Sequence, residues 1–408
     1  MEGKTMSKLI LHGMSRADWM VSGVEYYEHR AIVTASDGDI LVFSCAPDPA
    51  YLLYREKVLG FRKDNIIIAG GSGTNLAQRI FNDPHTLLEI KSRITSDFEM
   101  DVFYVSVDER RLADELGILL LGDHELTEVV GSKSGFRDLA RKAGVPISDG
   151  MENLGLDQVN WAVRAYISQE KPIVIKDDQG VSGLGNFRID PQEVNGDLNQ
   201  VVQRALQQIN FRCGVVEEWK DGVVSSLGIQ GYITDDDCLL LSDFWQQILE
   251  GVNCKYIGSS TPVDVPDFMR QSIFFDVYRL MEEYQSAGWR GNVNFDLIIC
   301  EDNTYFFVEC NARKSAPYYP RRFAELCGVT AQPIMSTLIF SETLKQLSFS
   351  ELLKLSQGLL FSREDPRGIV FYNDGIMRCG EIQVIIVGNT HEELSGYREE
   401  LQSRLNVN

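Results

Sequence analysis

The sequence has 408 residues, 44% hydrophobic and 24% charged, long enough for two to three packed cores and ordinary in composition for a globular protein. A formal net charge of -20 argues against nonspecific nucleic-acid or acidic-membrane binding, and no apolar run approaches the ~20 residues that span a bilayer. The N-terminus Met1-Glu2-Gly3-Lys4-Thr5 lacks a signal-peptide core, the 8 cysteines form no CxxC pair and none of the 5 histidines has metal spacing, so a cytoplasmic protein with reduced thiols and no zinc is expected.

Residues 6 to about 130 read as an alternating α/β unit. Ile32-Val33, Ile40 to Phe43, Asn65 to Ala69, Val102 to Val105 and Ile118 to Gly122 are short apolar runs of the kind buried parallel strands produce. A helix is expected from Asn75 to Phe81. The loop Gly70-Gly71-Ser72-Gly73-Thr74-Asn75 before it has the place of an anion-binding turn but lacks the third glycine of a dinucleotide fingerprint, so a plain tight turn is the favoured reading.

Downstream, Lys133 opens a helix in which Phe136, Leu139, Ala140 and Ala143 keep the i, i+3, i+4, i+7 spacing, with Gly144 as its stop. A second helix covers about Leu156 to Gln169. The strand Pro172 to Lys176 then ends on a lysine and enters the loop Gly180-Val-Ser182-Gly183-Leu-Gly185. Glycines let a backbone approach closely and its N–H groups can form an anion nest, while the lysine supplies a point charge for a phosphate. An amphipathic helix from Leu198 to Ile209, the strand Cys213 to Trp219, antiparallel runs at Ser225 to Ile233 and Cys238 to Ser242, and a helix from Asp267 to Gln285 follow.

The last helix leads into Gly291 to Arg313, which reads as a β-hairpin with a polar face. Two apolar runs flank the turn Glu301-Asp302-Asn303-Thr304. With the turn centred between Asp302 and Asn303, Asp296 lies opposite Glu309 and Asn294 opposite Asn311, and alternation puts Asp296, Glu309 and Asn311 on one face. Facing carboxylates destabilise a ladder, and a hard cation removes the cost; oxygen donors of this kind suit Mg²⁺. The bland alternative is a solvated polar sheet face. After the hairpin, Arg321 and Arg322 are either grips for a substrate carboxylate or solvated helix-start residues. The tail beyond 340 adds a helix and the strand pair Gly368 to Tyr372 and Ile382 to Val387.

The order of these parts, Lys133 before a helix and a "KAGVP" turn, Lys176 with the "GVSGLGN" loop, Val215-Val-Glu217-Glu218-Trp219, then Asp296, Glu309 and Asn311, resembles the ATP-grasp superfamily of carboxylate-amine ligases over about residues 130 to 340. The upstream unit and the glycine-loop wording resemble pheganomycin-type peptide ligases with a pre-ATP-grasp domain. The resemblance implies an α/β (α+β) chain: a Rossmann-like pre-ATP-grasp domain (1–130), an ATP-grasp lid subdomain (131–215), a catalytic subdomain with the Mg²⁺ site (216–340) and a small C-terminal extension (341–408).

It also implies roles. Lys133 and Lys176 match the lysines that hold ATP phosphates, Gly180, Ser182, Gly183 and Gly185 the lid over them, and Glu217, Glu218 and Trp219 the adenine hinge. Asp296, Glu309 and Asn311 match the Mg²⁺ ligands, Arg313 the arginine that contacts the acyl phosphate or substrate carboxylate, and Ser182 is placed to help bind the tetrahedral intermediate. One departure stands out: where many members carry a carboxylate for the ribose hydroxyls, this chain has Val223-Val224-Ser225. The implied cofactors are ATP and Mg²⁺, and the implied partners are a small-molecule carboxylate and an amine, amino acids or peptides, with no nucleic acid or membrane and a homodimer left open. Activation of the acid as an acyl phosphate needs positioning and charge neutralisation, which two lysines, an arginine and Mg²⁺ supply. The rival functions are another ATP-grasp enzyme, a carboxylase or kinase, and a nucleotide-binding regulator without turnover.

Overall fold

Four of the five early apolar runs lie in or beside strands of one parallel sheet, in the spatial order Ile66–Ile68, Ile40–Phe43, Lys8–Leu11, Glu99–Val102, Leu119–Leu120. The computed structural model describes residues 6–14, 23–180, 185–194, 196–251 and 254–405. Leu9, Leu41, Val42 and Phe43 are wholly buried, as strands covered on both faces must be. Ile32-Val33 is no strand: it lies in the 3-10 helix Val24–Thr34, where Ala31, Ile32 and Val33 are all buried, and periodicity cannot distinguish a short buried helical turn from a strand. The strand expected at Val102 to Val105 sits earlier, at Glu99–Val102, because Asp101 is buried as an ion-pair partner inside it. The loop at Gly70 is packed so closely that a Cβ on Gly71 would lie 2.1 Å from the Arg79 carbonyl oxygen.

The chain divides into two compact units, the first comprising residues 1–124, 258–262 and 314–408, and the second 125–257 and 263–313. In the first unit, Ile334–Phe340, Glu381–Val387 and Gly368–Asn373 form antiparallel neighbours, with Gly258 to Thr261 paired on the outer side of Ile334 to Thr337. Residues 341–408 thus share a unit with residues 1–124.

The second unit contains two sheets. Gly150–Gly155, Cys213–Glu218, Ile173–Asp177 and Asn186–Ile189 form an antiparallel four-stranded sheet. Helices Leu156–Ile167 and Leu198–Gln208 bury Val159, Ala162, Val163, Val202 and Ala205 in its core. Tyr305–Asn311, Gly291–Cys300, Val223–Ile233 and Trp245–Glu250 form the second, also antiparallel. Helix Asp267–Ser286 packs Met269, Ile273, Val277, Leu280, Met281 and Tyr284 into the core beneath it, and Tyr284 donates to the Val130 carbonyl at 2.8 Å. Helix Lys133–Ala143 ends on Gly144 at φ 65, the left-handed cap glycine supplies without strain. Among the described residues no helix is long and apolar enough to cross a membrane.

Candidate active site

The hairpin Gly291–Cys300 and Tyr305–Asn311 places Asn294 opposite Asn311 and Asp296 opposite Glu309. Nearer the turn the register differs by one, with Leu297 facing Phe307, so Val308 is an extra residue and the facing carboxylates depend on a bulge as well as on the turn. Phe295 and Leu297 point away from them and are fully buried. Asn294 donates to Asp296 at 2.6 Å, and Asn311 donates to Asp296 at 3.2 Å and to Glu309 at 3.5 Å. On the neighbouring strand Gly228 faces Asp296, and a Cβ there would stand 3.2 Å from the carboxylate, so glycine leaves room for the cluster.

Burial, with Glu309 beside it, pushes the Asp296 carboxyl well above the carboxylate range. Burial also opposes ionisation of Glu309, but Lys133, the Asp296 hydrogen bond, Lys176 and Arg313 outweigh it and hold Glu309 below its usual value. Two facing carboxylates this close oppose each other's ionisation, and the nearby cations favour the charge on Glu309. The Asn294 Oδ1 is buried with no hydrogen-bond partner among the described residues, a lone pair aimed at no protein donor. Two carboxylates and two amides make an all-oxygen donor set, which fits a hard divalent cation. Among the described residues no three His, Cys, Asp or Glu side chains gather to cage a metal, so most of the coordination would fall to water and phosphate oxygens, the habit of Mg²⁺.

The cations come from the other sheet and its helix. Lys133 is the first residue of helix Lys133–Ala143, capped by Ser132, which accepts from the Gly135 amide at 2.9 Å. The Ser134 amide donates to Asp178 at 2.8 Å, tying this helix to the end of the Lys176 strand. Buried Lys133 donates to the Gly180 carbonyl at 2.7 Å and lies 3.6 Å from Glu309. Lys176 pairs with Glu217, whose other oxygen accepts from Arg137 at 2.5 Å. Arg137 also donates to the Ser148 carbonyl at 2.9 Å and reaches Glu152 at 3.3 Å. Sequence reasoning passed over Arg137, although it stands one helical turn beyond Lys133 and so on the same face.

Gly180 and Gly185 form the neck of the loop between Ile173–Asp177 and Asn186–Ile189. A Cβ on either would stand 2.6 to 2.7 Å from the other's Cα, so only glycine permits the approach. Ser182 and Gly183 lie outside the described residues. At the hinge, the amides of Glu218 and Trp219 already donate to the carbonyls of Asp149 at 2.8 Å and Pro172 at 2.9 Å. Arg313 lies two positions beyond Asn311, its amide bonded to the Asn311 carbonyl at 2.8 Å. Arg321 and Arg322 belong to the other unit, where both pair with Glu325. A cavity of about 410 Å³ in the second unit is lined by Ser132, Asp177, Asp178, Arg212 and Cys213 among others, and none of the predicted phosphate or metal residues borders it.

Two lysines, a glycine-necked hairpin and an acid pair on a second antiparallel sheet are the parts this unit brings together. Residues 28–118 match the Pre ATP-grasp domain and residues 355–401 the PGM1 C-terminal domain. The chain is 24% identical to the L-propargylglycine--L-glutamate ligase of Streptantibioticus cattleyicolor, over 98% of this chain and 94% of that protein. Its fold is similar to that of N5-carboxyaminoimidazole synthase from Aspergillus clavatus, with TM-score 0.62 and 12% identity over 98% of this chain and 99% of the other. Biotin carboxylase from Campylobacter jejuni gives TM-score 0.63 and 11% identity over 98% and 92%. The chain therefore carries the ATP-grasp fold, with a pre-ATP-grasp domain near its N-terminus.

Proposed function

We propose that this protein is an ADP-forming ligase that joins a small carboxylic acid, an amino acid or short peptide, to an amine through an acyl phosphate, with ATP and Mg²⁺ as cosubstrate and cofactor. The observation that carries the reading is the convergence of Lys133, Lys176 and Arg313 on Glu309, which faces Asp296 across the hairpin. In this reading Lys133 and Lys176 hold phosphate oxygens, and Glu217, with Arg137, keeps Lys176 in place. Asp296, Glu309 and Asn311 hold Mg²⁺, which when bound neutralises phosphate charge. The neck at Gly180 and Gly185 carries the lid, including Ser182 and Gly183, that excludes water from an acyl phosphate prone to hydrolysis. Glu218 and Trp219 border the base. Arg313 faces the activated carboxylate. Residues 131–215 would then be the lid part and the strands from 216 the catalytic part. The relative named as a ligase of L-propargylglycine and L-glutamate supports amino-acid substrates.

Isotope transfer tests the reading. With ¹⁸O in the acid, label should appear in inorganic phosphate together with ADP and a new amide, because the acid's oxygen becomes the bridging atom that the amine later expels. A bicarbonate-dependent label would instead indicate a carboxylase, a phosphorylated product a kinase, and no substrate-dependent phosphate a regulator. Glu309→Gln should fold yet lose turnover by roughly 100-fold or more. Unchanged turnover at saturating Mg²⁺ would remove the metal assignment.

A further inference from the structure

In the first unit, away from every residue assigned above, a cysteine, a histidine and an aspartate meet. Cys45 follows the strand Ile40–Phe43, His29 belongs to the 3-10 helix Val24–Thr34, and Asp374 follows the strand Gly368–Asn373. His29 Nδ1 lies 2.7 Å from Asp374 Oδ1, and His29 Nε2 lies 3.0 Å from the Cys45 carbonyl oxygen and 3.6 Å from Cys45 Sγ. The other Asp374 oxygen accepts from the Asp48 amide at 2.8 Å, which fixes the carboxylate. Gly375 permits the close approach, since a Cβ there would stand 2.7 Å from the Tyr26 Cβ and 3.2 Å from His29 Nδ1. The Phe43 ring packs edge-on against the imidazole, with centroids 5.2 Å apart.

These contacts fix the charge on the ring. A carbonyl oxygen only accepts, so Nε2 carries a hydrogen, and the carboxylate draws a second onto Nδ1, which makes His29 an imidazolium. Burial disfavours that charge, but the hydrogen bonds to Asp374 and Cys45 outweigh it and raise the pKa to about 10. The Nε2 hydrogen faces Sγ as well as the carbonyl, and a cationic N–H beside sulfur stabilises the anion through which a thiol attacks. Of the neighbouring carboxylates, Asp374 sits on the far nitrogen, Glu28 accepts the Ser44 amide at 2.5 Å with its carboxyl pushed up by burial, and Asp48 accepts the Ala50 amide at 2.7 Å. Cys45 is half-buried and exposed Ala46 follows it, so the residue borders solvent. Cys213 presents the opposite case: it is more exposed, but its Sγ donates to Asp178 at 3.2 Å, and burial together with that carboxylate drives its thiol up to about 11.

We propose that Cys45 is a nucleophilic modification site for small, soft carbon electrophiles, its sulfur activated by the His29 imidazolium and the imidazolium oriented by Asp374. The site does not depend on the ligase reading. Iodoacetamide is the probe: the sulfur lone pair forms the new S–C bond, the C–I pair leaves as iodide, and the thiol proton goes to water. The full-length protein is labelled at pH 7, quenched over time and digested, and the rate at each cysteine is read by mass spectrometry.

Cys45 should react roughly tenfold or more faster than Cys213, although exposure alone predicts the reverse order. It should also react faster in the folded protein than in the urea-unfolded chain, an order that partial burial without activation cannot give. His29→Gln removes the cation and should slow Cys45 by roughly tenfold while Cys213 keeps its rate. Asp374→Asn should slow Cys45 in the same direction and carries the test if the glutamine variant does not fold. The sign separates activation from packing, because a loosened structure exposes the thiol and speeds its labelling. A Cys45 rate at or below that of Cys213, a rate no higher than in the unfolded chain, or an undiminished rate in both variants overturns the site.

Discussion

Glu217 joins Lys176 to Arg137, because one carboxylate oxygen holds the lysine and the other the arginine. Lys176→Met keeps the aliphatic stem and removes a charge-assisted contact of about 1.5 to 3 kcal/mol, so phosphoryl transfer or nucleotide affinity should fall by roughly 10- to 100-fold. Wild-type binding and rate in that variant would make Lys176 structural. A second residue-level outcome concerns stability in the first unit. Burial disfavours the His29 imidazolium, but hydrogen bonds to Asp374, at 2.7 Å, and to Cys45 outweigh it and raise its pKa from 6.5 to about 10. Between those values the folded state binds the proton that the unfolded chain has released. The contribution is therefore complete below about 6.5 and is lost as pH rises through about 10, at roughly 1.4 kcal/mol per pH unit. Asp374→Asn should flatten the alkaline limb of a stability-against-pH curve measured by denaturant unfolding; an unaltered limb would exclude the pair as its source.

At the scale of elements, geometry at glycines does what side chains cannot. Gly180→Ala would put a Cβ 2.7 Å from the Gly185 Cα, so the neck must open. ATP turnover should drop at least about tenfold, while unfolding stability changes by only about 1 kcal/mol because the strands flanking the neck keep their pairing. Turnover at the wild-type rate would show that the loop's closure does not depend on its neck. The hairpin of the acid pair illustrates the limits of reading elements from sequence. Its strands and its polar face were legible from alternation and turn residues, and the pairing of Asp296 with Glu309 was obtained from a turn centre that the structure moves. The bulge at Val308 restores that pairing, and no local pattern announces it. Arg137 was missed for a related reason: its value lies in Glu217, 80 positions away.

On the scale of the molecule, the first unit is assembled from both ends of the chain. Ile369, Phe371, Val384 and Ile386 are fully buried, and at about 1.5 to 3 kcal/mol each their loss approaches the 5 to 15 kcal/mol that holds a whole domain together. A chain ending at residue 340 should therefore fail to fold its first unit, seen as lost cooperative unfolding and aggregation. A soluble, cooperatively melting truncation would show that the segment is a removable appendage.

The sequence by itself determined the local elements, the lysines, the glycine loop and the acid face, because each is written in spacing along a short stretch: apolar runs bounded by turn residues, a lysine at a strand end, two acids brought face to face by a hairpin. Tertiary structure alone decided the rest. It placed Asp101 in a buried strand by pairing it with Lys314, turned Ile32-Val33 into a helical turn, and joined residues 341–408 to the N-terminal unit. It also set the Arg30 guanidinium against rings contributed by Phe103 and Tyr319. Burial of a charge and pairing across hundreds of residues depend on which surfaces meet, and no local pattern of side chains encodes that meeting.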